Sequence, residues 1–157
     1  MSYSLADRIH RVRPSFTLQM ATRAAEMRDE GIDVINFSVG EPDFNTPIHI
    51  INAGKKAMDD GYTKYTAGPG MIELRKAICE KLERENGINY NPAEILVSNG
   101  EKQSLYNVCQ ALFNEGDEVI TFAPYWVSFP EFVRLADAEP VIVNTVAEQN
   151  FEPDFAD

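Results

Sequence analysis

Basic residues, cysteine, histidine and tryptophan are all scarce in this chain, and it has no long apolar run. Its 157 residues carry 14 Lys and Arg against 25 Asp and Glu, a net charge of −11 at pH 7. A field of that sign repels phosphate backbones and anionic membrane surfaces, so neither nucleic acid nor a membrane is an expected partner. No stretch approaches the roughly 20 apolar residues a membrane helix needs. The opening Met1-Ser2-Tyr3-Ser4-Leu5-Ala6-Asp7-Arg8 has no hydrophobic signal region, so the cytoplasm is the expected compartment. The two cysteines, Cys79 and Cys109, form neither a CxxC motif nor a metal-ligand spacing with the two histidines, His10 and His49. Both are expected to be reduced core residues, and no metal is expected.

What is present reads as a packed α/β protein. Hydrophobic residues make up 44% and charged residues 25%, close to the globular average. At about 150 residues per domain the length suits one domain or a piece of a larger one. Residues 15–30 place Leu18, Ala21, Ala25 and Met27 near helical spacing, with Gly31 to end the run. Val34 to Val39 alternates like a short strand, and Gly40-Glu41-Pro42-Asp43-Phe44 breaks it. Thr46-Pro47 offers an N-cap and a first-turn proline for a second helix, with Ile50, Ile51, Ala57 and Met58 as its buried stripe and a stop near Gly61. Tyr62 to Gly70 reads as loop. A third helix, from about Met71 to Asn86, carries Leu74, Ile78 and Leu82 on one face and meets Gly87, where a left-handed residue closes a helix.

From Ile95 the pattern becomes strand, helix, strand, helix, strand. The strands are Ile95–Ser98, Val119–Phe122 and Val141–Val143. The helices run from Glu101 to Phe113, with Leu105, Val108, Cys109 and Leu112 inward, and from about Phe129 to Ala136. That alternation specifies a parallel sheet with right-handed crossovers. The closing stretch, 151–157, reads as loop leading towards another element, so the sheet is expected to be incomplete here.

In an open parallel sheet, ligands sit beyond the carboxyl ends of the strands. After Ile95–Ser98 the run Ser98-Asn99-Gly100-Glu101-Lys102 turns directly into a helix. Its first-turn amides and the positive end of the helix dipole suit a phosphate, and an ordinary N-cap by Ser98 or Asn99 is the other reading. After the second strand, Tyr125 stands beside Trp126, the only tryptophan, placed either to stack on a heteroaromatic ring or to pack half-buried. Thr63-Lys64-Tyr65-Thr66 with Gly68-Pro69-Gly70 is rich in hydroxyl groups and reads equally as an anion donor or a solvated turn. The carboxylates between Glu80 and Glu85 read as a solvated helix face.

Seven motifs stand in order along the chain: Pro14-Ser15 with Thr17; Gly40-Glu41-Pro42-Asp43-Phe44 with Thr46-Pro47; Tyr62-Thr63-Lys64-Tyr65-Thr66; Glu83-Arg84-Glu85-Asn86-Gly87; Asn99-Gly100-Glu101-Lys102-Gln103; Gly116-Asp117-Glu118-Val119; and Pro124-Tyr125-Trp126-Val127-Ser128. Through them the chain resembles, over essentially its whole length, the N-terminal portion of the class I aminotransferases dependent on pyridoxal 5'-phosphate, in the aspartate aminotransferase branch. The resemblance implies the fold type I α/β architecture of these transferases. An N-terminal arm and small-domain segment would span 1–46, and 47–157 would be the N-terminal part of a large cofactor-binding domain with a mostly parallel sheet.

The resemblance also implies roles. Gly100, Glu101 and Lys102 match the loop at the cofactor phosphate, and Trp126 matches the aromatic stacked on the pyridine ring. Tyr65 matches a tyrosine that reaches the cofactor phosphate of the partner subunit, which implies a homodimer with a shared active site. Gly40 matches the position whose backbone lies against the substrate α-carboxylate. Thr17 and Lys102 match residues that in some members recognise the distal carboxylate of an acidic substrate, while a plain solvated lysine remains open for Lys102. The implied reaction moves an amino group between an amino acid, aspartate, and a 2-oxo acid, 2-oxoglutarate. Alternatives are an aminotransferase for aromatic, prephenate or neutral amino acids, or a truncated, non-catalytic interaction module. The family's Schiff-base lysine, its pyridine-pairing aspartate and its α-carboxylate arginine fall beyond Asp157. This chain therefore holds no catalytic residue by that matching, and alone it is expected not to transaminate.

Overall fold

The computed structural model describes residues 3–154; Met1, Ser2 and Phe155–Asp157, the last being the end of the expected closing loop, lie outside them. The described residues divide into two compact units. One is built from the chain up to Glu41 and from Lys102 onward, the other from Pro42–Glu101.

The first unit holds the core. Helix α1 (Asp7–Arg11) leads to α2 (Phe16–Asp29), which Ser15 caps by accepting the Leu18 amide at 3.4 Å. Helix α5 (Gly100–Leu112) begins at the boundary between the units and is followed by strand β1 (Glu118–Ala123), helix α6 (Phe129–Leu135) and strand β2 (Glu139–Asn144). The strands pair in parallel, from Glu118 opposite Glu139 to Ala123 opposite Asn144. This is the βαβ grammar expected of the sequence, with α6 as the crossover. Beneath it Cys109 of α5 meets Phe132, Val133, Ala136 and Ala138, with Leu105, Phe113, Val119 and Phe129 packed against them. Val133 is the most enclosed, at 3% exposure. Full burial of a side chain of this size contributes about 1.5–3 kcal/mol.

The second unit is helical. Helix α3 (Ile48–Asp59) and helix α4 (Ile72–Asn86) are joined by the 62–70 loop, and α4 stops at Gly87, φ 68. A 3-10 turn (Pro92–Glu94) follows, with Asn91 and Glu94 forming a reciprocal capping box, and Arg75 of α4 donates to the Pro92 carbonyl at 2.9 Å.

Several expectations are corrected. Val34–Val39 and Ile95–Ser98 form no strand. Neither stretch finds a ladder partner among the described residues, where β1 and β2 make a two-stranded sheet. Ile95–Ser98 lies instead along the 62–70 loop, with the Val97 amide donating to the Pro69 carbonyl at 3.0 Å. Pro47, not Thr46, is the capping residue of α3, because the proline itself keeps an extended backbone. Ile50, Met58, Leu74, Val108 and Leu112 are exposed rather than buried. In α2 it is Ala24 that is buried, while Leu18 and Ala25 are exposed. In each case the stripe marks a face able to be buried, and no described element packs against it.

Candidate functional site

The carboxyl end of β1 delivers the chain into Pro124-Tyr125-Trp126-Val127-Ser128, through a cis Ala123–Pro124 peptide. The Ala123 carbonyl is held by Thr145 from beyond β2, through its amide at 3.0 Å and its hydroxyl at 2.5 Å. Trp126 stands edge-on to two aromatics that anchor α6, Phe129 at 5.6 Å and Phe132 at 6.1 Å between ring centroids. The indole is thus fixed from the core side yet remains 40% exposed. The Lys102 ammonium lies over it, 4.7 Å from the ring centroid. Such a cation–π contact contributes about 0.5–1 kcal/mol at an exposed site.

Lys102 also borders a hollow of about 460 Å³, closed on one side by Val12–Phe16 and on the other by Tyr125, Ser128 and the α6 residues Glu131 and Arg134. Three cationic side chains, Arg13, Lys102 and Arg134, line it against one carboxylate, Glu131. In a chain of net charge −11 this is a locally cationic recess. Glu131 is engaged twice: it accepts from Arg134 Nη1 at 2.5 Å and from the Arg13 amide at 2.9 Å. Its charge is therefore largely neutralised by Arg134, and the recess favours anions.

The remaining expected site residues lie as follows. Gly100 opens α5 with φ 78 and open space where a Cβ would stand, so backbone conformation rather than crowding selects glycine there. Its amide donates to the Ser98 carbonyl at 2.9 Å. Glu101 and Lys102 follow in the first helical turn, whose amides have no acceptor within the helix. Tyr65 is fully exposed and borders a hollow of about 390 Å³ shared with Lys64, Thr66 and Arg75. Thr17 lies in the first turn of α2, one residue past the wall of the Lys102 recess. Gly40 lies in exposed coil with nothing within 4 Å of a Cβ position, so no contact among the described residues requires glycine there. The structure thus brings Lys102 and Trp126 together.

Arg13, Glu131 and Arg134 were not singled out from the sequence. Glu131 and Arg134 are visible there as an i,i+3 pair, but a helical pair gives no sign that it faces a segment 118 residues away. Among the described residues no group of three or more His, Cys, Asp or Glu is placed to hold a metal ion. No helix among them is long and apolar enough to cross a membrane.

The donors at the start of α5 suit a phosphate, and the exposed, edge-anchored indole suits a flat ring. Residues 32–157 match the aminotransferase class I and II family, and the chain belongs to it. The particular relatives narrow the class. The chain is 51% identical over 148 residues to an aspartate/prephenate aminotransferase of Cereibacter sphaeroides, covering 94% of this chain and 37% of that protein. It is 48% identical over 152 residues to an aspartate aminotransferase of Bacillus sp. strain YM-2, covering 97% and 39%. Among solved structures it superposes on an aspartate aminotransferase from Thermus thermophilus with maleate at a TM-score of 0.93 and 44% identity, over 98% of this chain and 40% of that one. The chain spans about two fifths of the length of these relatives, and its fold is that of the corresponding part of a fold type I aminotransferase.

Proposed function

We propose that the protein to which this chain belongs moves an amino group between aspartate and 2-oxoglutarate with pyridoxal 5'-phosphate. This chain supplies its N-terminal part: an arm and small-domain segment to residue 46, then the start of the large cofactor-binding domain. The observation that carries the reading is Lys102 resting on Trp126 at the carboxyl end of β1, 4.7 Å from the ring centroid and beside a cationic recess. The cofactor, when bound, supplies an electron sink for chemistry at the amino acid's Cα. The residues here do the holding. Gly100 makes the turn into α5, the first-turn amides of Glu101 and Lys102 bind phosphate, and the Trp126 indole gives the pyridine ring a flat face. Tyr65 reaches the phosphate in the partner subunit of a homodimer. Gly40 leaves room for the α-carboxylate, and Thr17 and Lys102 receive the distal carboxylate.

Maleate, bound by the Thermus thermophilus relative, is a dicarboxylate, which supports an acidic substrate here. The proton-transfer lysine is not among these residues, so the 157-residue chain alone is inactive in this reading. The setting is the cytoplasm. A second reading, prephenate as amino acceptor, is favoured by the Cereibacter sphaeroides relative, which is an aspartate/prephenate aminotransferase.

The test is a coupled assay on the full-length, cofactor-loaded protein. Aspartate and 2-oxoglutarate should yield oxaloacetate and glutamate, with kcat/KM for aspartate well above that for phenylalanine or alanine. Prephenate offered with glutamate tests the second reading. No amino transfer from aspartate rejects the proposal.

A further inference from the structure

We propose that Glu131 is a positioning residue which, through the Arg13 amide, fixes the Val12–Phe16 segment as one wall of the cationic recess beside Lys102. The inference deepens the aminotransferase reading and rests on it for the identity of the substrate.

Residues 7–13 would otherwise be an exposed five-residue helix and its exit, too short to hold a conformation alone. The segment is instead gripped at three points from α6 and its exit. Asp137, just past α6 at φ 64, faces the arm and pairs with Arg11 and, at 4.0 Å, with Arg8. Glu131, one helical turn and a half earlier, accepts the Arg13 amide at 2.9 Å while Arg134 holds its other oxygen at 2.5 Å. The three grips differ in kind. The Asp137 pairs are exposed, at 36% for the carboxylate and about half for each arginine, and such pairs hold weakly. The Glu131 carboxylate is only 14% exposed and charge-assisted on both oxygens. It also reaches backbone rather than a long flexible side chain. Backbone capture at residue 13 sets the path of the next residues, Pro14 to Phe16, which line the recess and lead into α2 and Thr17. The Arg134 pair holds Glu131 in place, so removing the carboxylate frees the arm and leaves the recess without a fixed wall.

The test uses the full-length enzyme with Glu131→Ala and Glu131→Gln, read by steady-state kinetics with aspartate and by amide hydrogen exchange over residues 9–17. A wall holds bound substrate equally in ground and transition states. Glu131→Ala should therefore raise KM for aspartate roughly tenfold, the size of effect expected from losing a hydrogen bond to a charged group, with kcat within about twofold. The Arg13 amide should exchange at least about tenfold faster. Glu131→Gln keeps an oxygen that accepts the amide and should recover most of both. If Glu131→Ala does not fold, Glu131→Asp, which draws the carboxylate back by one methylene, should move KM and exchange the same way. Unchanged exchange in the alanine and aspartate variants overturns the proposal, as does a loss confined to kcat. If the wild-type protein does not act on aspartate, the functional reading falls. Exchange at Arg13 still reports whether Glu131 holds the arm.

Discussion

Gly70→Ala should destabilise the protein far more than the same change two residues earlier, and the structure says by how much. Gly70 has φ 101, and a Cβ added there would stand 2.8 Å from both Cβ and Cγ2 of Val97. A non-glycine residue at such a φ costs about 1–3 kcal/mol, and forcing an extra carbon into occupied space costs a further ~1–3 kcal/mol. The sum is about 2–6 kcal/mol. Gly68 shares the loop, has nothing within 4 Å of its Cβ position and no positive φ, so Gly68→Ala should fall within about 0.5 kcal/mol of wild type. Urea unfolding of both variants in the full-length protein measures the contrast, as a lowered midpoint at unchanged slope for Gly70→Ala alone. The contact joins the Tyr65 loop to the segment entering α5, since the Val97 amide also donates to Pro69, so cofactor affinity should fall along with stability. Equal midpoints for the two variants would refute the argument.

Three further outcomes follow from the site and core. Lys102→Met removes the ammonium beside the recess and should lower kcat/KM for aspartate by about 10–100-fold, from the ~1.5–3 kcal/mol of a charge-assisted contact, while alanine is affected much less; an unchanged aspartate-to-alanine ratio would remove Lys102 from substrate recognition. Trp126→Leu should weaken pyridoxal phosphate binding about 3–10-fold in a spectrophotometric titration, the ~0.5–1.5 kcal/mol worth of an aromatic contact, and a wild-type affinity would contradict stacking. Burial pushes the Cys109 thiol up from its ordinary value, so less thiolate is present at pH 8 and iodoacetamide should modify it more slowly than half-buried Cys79; its rate should rise with pH above the usual thiol range, and equal labelling at pH 8 would contradict the Cys109–Phe132–Val133 cluster.

Local signals carried furthest from sequence to structure. The stop of α4 at Gly87 and the turn of Gly100 into α5 depend on neighbouring residues alone, so the chain states them directly. The parallel β1–α6–β2 unit was legible because alternating strand and helix admits few arrangements. The strands at 34–39 and 95–98 were misread because a strand exists only with a ladder partner, and apolar content cannot supply one. The stripes of Ile50, Met58, Val108 and Leu112 failed for a related reason: periodicity names a face, not the surface that covers it. At the site, Trp126 and Lys102 were legible as types at a strand end and a helix start, but their 4.7 Å contact depends on packing between elements. The Arg13–Glu131 bond, between residues 118 apart, has no local signature at all.

The most direct test of the account is a crystal structure of the full-length protein with pyridoxal 5'-phosphate. The account predicts the phosphate within hydrogen-bonding distance of the amides of Glu101 and Lys102, and the pyridine ring lying flat on Trp126. A phosphate bound away from the start of α5, or a ring that never touches the indole, would contradict it.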